Sequence, residues 1–130
     1  LIVEDEEVLL ELLVYRFERA GFKVFSAMSG PEACDQIGRR RPDVVLMDVL
    51  LPQLTGLDVL EMLRKHPEPK VAATPVIIVT AQTSPDTMRR SLQLGADSFQ
   101  LKPYSIADLV LRSCLLIKQH REKFNRNLSS

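Results

Sequence analysis

The amino-acid sequence predicts an α/β fold in which one parallel β-sheet lies between two layers of helices. Five short apolar segments alternate with five amphipathic segments along the 130 residues. The middle apolar segments do not alternate cleanly with polar residues, which is typical of parallel strands covered on both faces. With 45% hydrophobic residues, the chain suits one domain with a single core. The strand–helix alternation therefore favours a doubly wound (βα)5 sandwich with right-handed crossovers.

Each element is predicted from its periodicity and its ends. The predicted strands are residues 1–3, 23–27, 43–47, 75–80 and 98–101. The predicted helices are residues 6–20, 29–40, 57–65, 84–96 and 105–124. Gly21 is predicted to end the first helix and Ser29 to cap the second. The fourth helix is predicted to begin with Ser84 as its cap and Pro85 at its first position, and to end at Gly95.

The composition argues against several classes of function. Lys plus Arg total 17 and Asp plus Glu total 17, so the formal net charge is zero and direct binding of nucleic acid is not predicted. Cys34 and Cys114 form no spaced metal or redox pair, and His66 and His120 have no cysteine neighbours. Zinc is therefore not expected, and both thiols are predicted to be buried and reduced.

The sequence contains no membrane signal. No apolar run approaches the roughly 20 residues that span a bilayer, and no signal peptide is visible, so we expect a cytoplasmic protein. The chain begins inside the apolar run LIV without an initiator Met. We therefore expect a few residues of the natural protein to precede Leu1.

The predicted strands end in residues that carry chemistry. Ligands of open parallel sheets bind at the carboxyl ends of the strands. The first strand ends in Glu4 and Asp5, the third in Asp48, the fourth in Thr80 and the fifth in Lys102. Taken alone, Asp48 is better explained by capping of the following loop, where its carboxylate would accept backbone hydrogen bonds. The convergence of four strand ends favours a reactive site instead.

Charge balance predicts a cation at this edge of the sheet. Two carboxylates about 4 Å apart repel by roughly 4 kcal/mol at an effective dielectric near 20. Lys102 supplies one positive charge, and a divalent ion would balance the rest. Carboxylates, waters and a backbone carbonyl suit Mg²⁺, which is often shared with phosphate oxygens. The alternative is a salt bridge from Lys102 to one aspartate, with the other carboxylates solvated.

A metal, a lysine and a hydroxyl beside one carboxylate predict phosphoryl transfer, which needs positioning and charge neutralisation. A carboxylate can itself be the nucleophile and form an aspartyl phosphate. Asp48 is the natural acceptor. Mg²⁺ and Lys102 would neutralise the phosphoryl oxygens, and the Thr80 hydroxyl would donate to one of them.

The sequence resembles the receiver domain of two-component response regulators. The resemblance rests on four segments in the expected order, LIVEDE, VVLMDVLLPQLTGLDVL, PVIIVTA and GADSFQLKPY. It covers about residues 1–117, which implies a receiver domain there and a flavodoxin-like sheet with strand order 2-1-3-4-5. Residues 118–130 are then an extension of the last helix and a linker to a possible effector domain.

The resemblance implies a metal site and a phosphoryl donor. Glu4, Asp5 and Asp48 would hold Mg²⁺, with Mn²⁺ as a possible substitute, and the Leu50 backbone carbonyl would be a further ligand. Asp48 would be phosphorylated by a phosphohistidine of a histidine kinase or a histidine phosphotransfer protein. The domain would be a signalling switch that catalyses only its own phosphorylation and dephosphorylation.

The resemblance also implies how the switch works. Lys102 would contact the phosphoryl group and be followed by a cis bond to Pro103. Thr80 and Phe99 would form the switch pair, with Phe99 standing where Tyr is frequent. Such a switch would control an output domain or a partner, with a homodimer as one possible form.

Two flanking positions bear on phosphoryl lifetime. Leu50 and Gln82 lie two residues past Asp48 and Thr80, where side chains of the family admit or exclude water. An apolar Leu50 cannot orient a hydrolytic water, which favours slow self-dephosphorylation. Two other functions stay open. An aspartyl phosphatase or phosphotransferase would usually carry an acid where Leu50 stands, and an interaction module would act without phosphorylation.

The last helix has a wide apolar arc that includes Leu111, Leu115 and Leu116. It predicts either a broad contact with a neighbouring helix or a dimer or partner surface shared with the last strand and the preceding helix. Arg89 and Arg90 would lie on a solvated face or pair with Asp97 or Asp108 across that surface. The tail carries four basic residues, which belong either to the end of a helix or to a binding patch. They are Lys118, Arg121, Lys123 and Arg126.

Overall fold

The structure is a computed structural model that describes residues 1–81 and 84–125 in full and the backbone of residues 126–129. The strands within these residues are β1 (Ile2–Val3), β2 (Ser26–Ala27), β3 (Val45–Met47), β4 (Val76–Thr80) and β5 (Ser98–Leu101). The helices within them are α1 (Glu7–Arg19), α2 (Gly30–Arg40), α3 (Gly56–Arg64), α4 (Pro69–Ala72), α5 (Pro85–Gln93) and α6 (Ile106–Ser129).

The strands form one parallel sheet in the order β2-β1-β3-β4-β5. This confirms the predicted α/β class and strand order. Strand β1 pairs with β2 on one side and with the central strand β3 on the other, so that Val3 lies opposite both Ala27 and Met47. The carboxyl ends of all paired strands therefore meet at one edge of the sheet.

The apolar strands are explained by a core on each face of the sheet. Along β3 and β4, alternate residues enter opposite clusters: Val45, Met47, Val76 and Ile78 enter one, and Val44, Leu46, Ile77 and Val79 enter the other. Helices α2, α3 and α4 cover the first cluster, and α1 and α6 cover the second. Because successive side chains of a strand point to opposite faces, a strand buried on both faces is apolar throughout.

Most predicted helix ends are confirmed by their geometry. Ser29 caps α2 by accepting a hydrogen bond from the Glu32 N–H at 3.3 Å. Gly21 follows α1 with a φ of 97°, which favours glycine. Ser84 occupies the N-cap position of α5, but its side chain makes no capping hydrogen bond. The prediction of Ser84 as the cap is therefore right for the position and wrong for the side chain.

Some boundaries differ from the prediction. Helix α4 lies in a segment with no predicted element, because four residues are too few to show helical periodicity. Helix α5 ends at Gln93 rather than at residue 96, since Gly95 adopts a φ of 98°. Helix α6 continues to Ser129 rather than ending at residue 124. No Gly or Pro interrupts that stretch.

The two cysteines are not buried as predicted. Cys34 is half-buried beside Met62, at 4.0 Å between the sulfur atoms, and Cys114 is exposed on α6. Both are free thiols. Across the described residues, no helix is both long enough and apolar enough to cross a bilayer.

Truncating a core residue of α3 should destabilise the fold. Leu60 is 0% exposed, and Leu60→Ala should lower the free energy of unfolding by about 2–5 kcal/mol. The exposed Leu12 of α1 is the matched control, and Leu12→Ala should change it by less than about 0.5 kcal/mol. Urea denaturation would measure both, and equal losses would contradict the packing described.

Candidate functional site

Asp48 lies at the end of β3 and is only 7% exposed. Its backbone N–H donates to the Val3 carbonyl at 3.2 Å, which ties it to the end of β1. Its Oδ1 accepts a hydrogen bond from the Leu50 N–H at 3.1 Å. Its Oδ2 accepts one from the Lys102 Nζ at 2.7 Å. The two carboxylate oxygens thus have different partners, so Asp48 both caps its loop and belongs to a charged cluster.

Lys102 bridges two buried carboxylates. Its Nζ lies 2.7 Å from Glu4 Oε1 as well as 2.7 Å from Asp48 Oδ2. Glu4 is 3% exposed, and its N–H donates to the Ala27 carbonyl at 3.0 Å. The Lys102 N–H donates to the Thr80 carbonyl at 2.9 Å. The sheet therefore brings Glu4, Asp48 and Lys102 together as the sequence predicts, and the Lys102–Pro103 bond is cis as expected.

The electrostatics of the cluster are unbalanced. Burial raises the pKa of Glu4, while hydrogen bonds from Lys102 and the Glu6 N–H oppose the rise and the charge of Asp48 adds to it. Burial alone would lower the pKa of Lys102, but its hydrogen bonds to Asp48 and Glu4 outweigh burial and raise it. One ammonium therefore faces two carboxylates in a region that water hydrates poorly.

Asp5 extends this excess of negative charge at the edge of the sheet. It follows Glu4 directly and is exposed. Among the described residues, no three acidic, His or Cys side chains stand close enough to form a ready-made metal site. The donor chemistry nevertheless fits a hard divalent cation, since carboxylate and carbonyl oxygens are its usual ligands. The metal set of Glu4, Asp5, Asp48 and the Leu50 carbonyl stays a prediction.

Thr80 and Phe99 lie on neighbouring strands and share one face of the sheet. Thr80 is fully buried at the end of β4. In the β4–β5 register, Leu101 lies opposite Thr80 and Phe99 lies opposite Ile78. Phe99 is half-buried and packs on the core cluster beneath α3. The arrangement places a hydroxyl-bearing residue and an aromatic ring on the face of the sheet against which Leu94, the residue after α5, also packs.

A family model described as "Response regulator receiver domain" matches residues 1–113. The chain belongs to the response regulator receiver family. Members of this family are typically signalling switches rather than enzymes, and they generally use Mg²⁺.

Three solved receiver domains illustrate the similarity. The receiver domain of the Francisella response regulator 1452 is 31% identical with a TM-score of 0.82, covering 91% of this chain and 94% of that chain. A CheY-like receiver domain from Methanospirillum hungatei JF-1 is 25% identical with a TM-score of 0.86, covering 94% of each. The BeF3-activated N-terminal receiver domain of Klebsiella pneumoniae RstA is 28% identical with a TM-score of 0.80, covering 89% and 95%.

Curated relatives are longer than this chain. Sensory transduction protein RegX3 of Mycobacterium tuberculosis H37Rv is 39% identical over 112 residues, which are 86% of this chain and 47% of that protein. The phosphate regulon transcriptional regulatory protein PhoB of Rhizobium meliloti is 35% identical over 118 residues, which are 91% and 51%. The receiver domain spans about half the length of the curated relatives it matches.

Two glycines that sequence reasoning did not select position the receiver's Asp48. A Cβ on Gly56 would collide with the Asp48 carbonyl oxygen, and the Gly56 N–H donates to the Val49 carbonyl at 2.9 Å. A Cβ on Gly30 would collide with Leu54 in the same loop. The sequence feature that could have indicated this position is Gly56 itself, which follows the cap residue Thr55 at the start of α3. The loop after Asp48 is thus held between two close backbone approaches.

Tyr104 also borders the site, although the sequence assigned it no role. It lines a small cavity with Glu4 and Asp48, and it packs on the core cluster beneath α1. Burial raises the pKa of its phenol, an effect that the charge of Lys102 opposes. The ring therefore adds to the desolvation of the charged cluster.

The two positions expected to tune phosphoryl lifetime have different outcomes. Leu50 is 53% exposed, and its backbone N–H donates to Asp48 Oδ1. Gln82 lies outside the described residues. The expected effect of Leu50 on hydrolysis stays a prediction.

Removing the bridging ammonium should destabilise the domain in a pH-dependent way. Lys102→Met leaves Glu4 and Asp48 buried without their cation, and should lower the free energy of unfolding by roughly 1–3 kcal/mol near neutral pH. Burial raises the Glu4 pKa above its unfolded value, so the folded state binds the extra proton. The loss should therefore shrink as pH falls through the Glu4 pKa and grow as pH rises through it.

Urea denaturation at about pH 5 and about pH 7.5 would measure this dependence. In the Lys102→Met background, Glu4→Gln removes the titrating carboxylate and should flatten the difference between the two pH values. A loss that is equal at both pH values, or unchanged by Glu4→Gln, would contradict the assigned charge balance.

Proposed function

We propose that Asp48 accepts a phosphoryl group from a phosphohistidine of a histidine kinase or a histidine phosphotransfer protein in a Mg²⁺-dependent reaction. The observation that carries this proposal is the position of the Asp48 carboxylate, at the end of a buried strand and 2.7 Å from the Lys102 ammonium. Membership of the receiver family supports it.

The proposed reaction is a single displacement at phosphorus. A carboxylate oxygen of Asp48 forms a bond to phosphorus, the phosphorus–nitrogen bond of the donor breaks, and its electron pair returns to the imidazole ring. Lys102 already touches the acceptor carboxylate, so it can turn from Asp48 toward the incoming phosphoryl oxygens over a short distance. The Leu50 N–H holds one carboxylate oxygen in place during this exchange.

The implied metal fits the acidic surroundings of Asp48. Glu4, Asp5 and Asp48 would hold Mg²⁺ together with the Leu50 carbonyl, and Mn²⁺ would be a substitute. When bound, the ion supplies charge neutralisation for the transferred phosphoryl group. The three carboxylates exceed the single Lys102 ammonium by two charges, which a divalent ion balances. Glu4 contributes a buried charge, and Asp5 contributes an exposed one.

Phosphorylation would change the face formed by α5, β5 and α6. It adds about 1.5 to 2 negative charges at Asp48, and Thr80 and Phe99 would respond on the neighbouring strands. The face carries exposed apolar side chains: Met88, Leu92, Leu101, Leu111 and Leu115. Such exposed apolar groups suit a partner, an output domain or a second copy of the domain.

Details of this face correct the expectations for its residues. Leu116 packs on the core cluster under α1, but Leu111 and Leu115 are exposed, so a broad contact within the chain is wrong for these two. Arg89 pairs with Asp86 on the same helix at 2.6 Å. Asp97 is exposed, pairs with Arg64 of the same chain at 3.1 Å and accepts the Val76 N–H at 2.8 Å. Asp108 is exposed in the first turn of α6, which begins after its cap Ser105.

The expected domain organisation follows from the same proposal. Residues 1–117 would form the receiver, and residues 118–130 would be an extension of the last helix and a linker to a possible effector domain. Helix α6 runs on to Ser129 as one continuous helix. The half-length match to RegX3 and PhoB supports an output domain beyond the receiver.

Intact mass after incubation with a small acyl or amido phosphate donor tests the proposal. The wild-type chain should gain one phosphoryl group only when Mg²⁺ is present. Asp48→Asn should gain none, because the amide lacks the nucleophilic carboxylate oxygen. Asp43→Asn is the matched control, since Asp43 is exposed and pairs with Arg121 away from the site. It should be phosphorylated like the wild type.

The same experiment separates the alternatives. Uptake by Asp48→Asn with unchanged stoichiometry would refute Asp48 as the acceptor. Continuous turnover of a generic phosphate ester would favour a phosphatase. No adduct under any condition would leave a phosphorylation-independent interaction module.

A further inference from the structure

The guanidinium of Arg64 uses all five of its N–H donors. Arg64 is the last residue of α3, and its Nη1 donates to the Ala72 carbonyl at 2.8 Å and to the Thr74 carbonyl at 2.7 Å. Its Nε and Nη2 donate to the Gly95 carbonyl at 3.1 and 2.8 Å. Nη2 also donates to Asp97 Oδ2 at 3.1 Å. A guanidinium has five such donors, so none is left over.

The acceptors join separate elements at one end of the sheet. Ala72 and Thr74 belong to α4 and its link to β4, while Gly95 and Asp97 form the turn from α5 to β5. Asp97 Oδ2 also accepts from the Val76 N–H at 2.8 Å, and the Asp97 N–H donates to the Val76 carbonyl at 2.9 Å. Arg64 therefore fastens the end of α5 to the first residue of β4.

The Arg64 side chain approaches the Gly95 backbone closely. Its φ is 98°, and a Cβ there would lie 3.0 Å from Arg64 Nε. Burial lowers the pKa of Arg64, which the Asp97 carboxylate opposes. The guanidinium is thus a charged group that is partly withdrawn from water and fully hydrogen-bonded, which makes its displacement costly.

The rest of α5 is held weakly. Of Pro85–Gln93, only Ser91 is buried, whereas α3 buries five residues over the same length of nine. Met88 and Leu92 point to solvent. Leu94 and Ala96, just after the helix, pack on the core cluster. Helix α5 is therefore anchored at its C-terminal end and loosely packed along its body, as expected of an element that opens at low cost.

We propose that Arg64 is a positioning residue for the switch, which fixes the C-terminal end of α5 so that phosphorylation moves only the N-terminal half of the helix. This rests on the proposed function of Asp48. Strand β4 begins at Val76 beside the anchor and ends at Thr80 beside the phosphorylation site. The anchor and the chemistry thus lie at opposite ends of one buried strand, roughly 13 Å apart at 3.3 Å per residue.

Hydrogen exchange read by mass spectrometry tests the anchor in the resting domain. Arg64→Met should speed exchange about tenfold at four protected amides, because each is hydrogen-bonded next to the lost guanidinium. These are the amides of Leu94, Gly95, Ala96 and Asp97. Arg64→Lys keeps the charge without the planar fork and should give an intermediate rate. Arg41→Met is the matched control, since it removes a bidentate pair with Glu68 away from α5.

Addition of Mg²⁺ and beryllofluoride, the activator named for the RstA receiver domain, tests the pivot. In the wild type, the exchange of residues 85–90 should change and that of residues 94–97 should not. In Arg64→Met, the change should spread to residues 94–97. Phosphoryl uptake by Asp48 should stay at the wild-type level, because Arg64 touches none of the reacting groups.

Three results would overturn the inference. The first is an Arg64→Met variant whose amides at residues 94–97 exchange at the wild-type rate. The second is an exchange rate that rises equally in all helices of Arg64→Met. The third is an Arg41→Met variant that speeds exchange at residues 94–97 as much as Arg64→Met does. If Arg64→Met does not fold, Arg64→Lys carries the same comparison. A wild-type chain that takes up no phosphoryl group would refute the proposed function alone, because exchange in the resting domain still reports on the anchor.

Discussion

One ammonium held between two buried carboxylates is the constraint on which the site depends. Lys102 touches Glu4 and Asp48 at 2.7 Å each, and these residues come from three different strand ends. These three side chains meet only in the parallel order β1-β3-β4-β5 with its observed register. A shift of one strand by one residue would turn its side chains to the other face of the sheet. The charge balance is incomplete, so the cluster is arranged to gain a cation or to lose negative charge. This incompleteness links the fold to the proposed phosphoryl chemistry.

The loop after Asp48 meets a second constraint, which is steric. Gly56 and Gly30 approach this loop so closely that a Cβ on either would collide with its backbone or with Leu54. The carboxylate is thereby held from one side by the Leu50 N–H and from the other by Lys102. Its position is consequently determined by backbone packing before any ligand binds, which is the condition for efficient transfer to a fixed acceptor.

The sequence predicted whatever follows from local pattern. Strands buried on both faces, helix ends at Gly21 and Ser29, and the convergence of Glu4, Asp48 and Lys102 all leave local signals in type and spacing. Contacts between distant residues leave none. The five donors of Arg64 reach acceptors between residues 72 and 97, and no local pattern in the sequence pointed to the pair that Arg64 forms with Asp97. The four-residue helix α4 was missed for a different reason, since it is shorter than the window in which periodicity appears.

The two ends of β4 explain how these constraints cooperate. At one end, Val76 is bonded to Asp97 and through it to Arg64. At the other, Thr80 accepts the Lys102 N–H through its carbonyl. A fully buried strand between them resists bending, because its side chains are packed on both faces. A change of charge at Asp48 therefore has little freedom to deform β4, and the loosely packed body of α5 is the part of this face that yields at least cost.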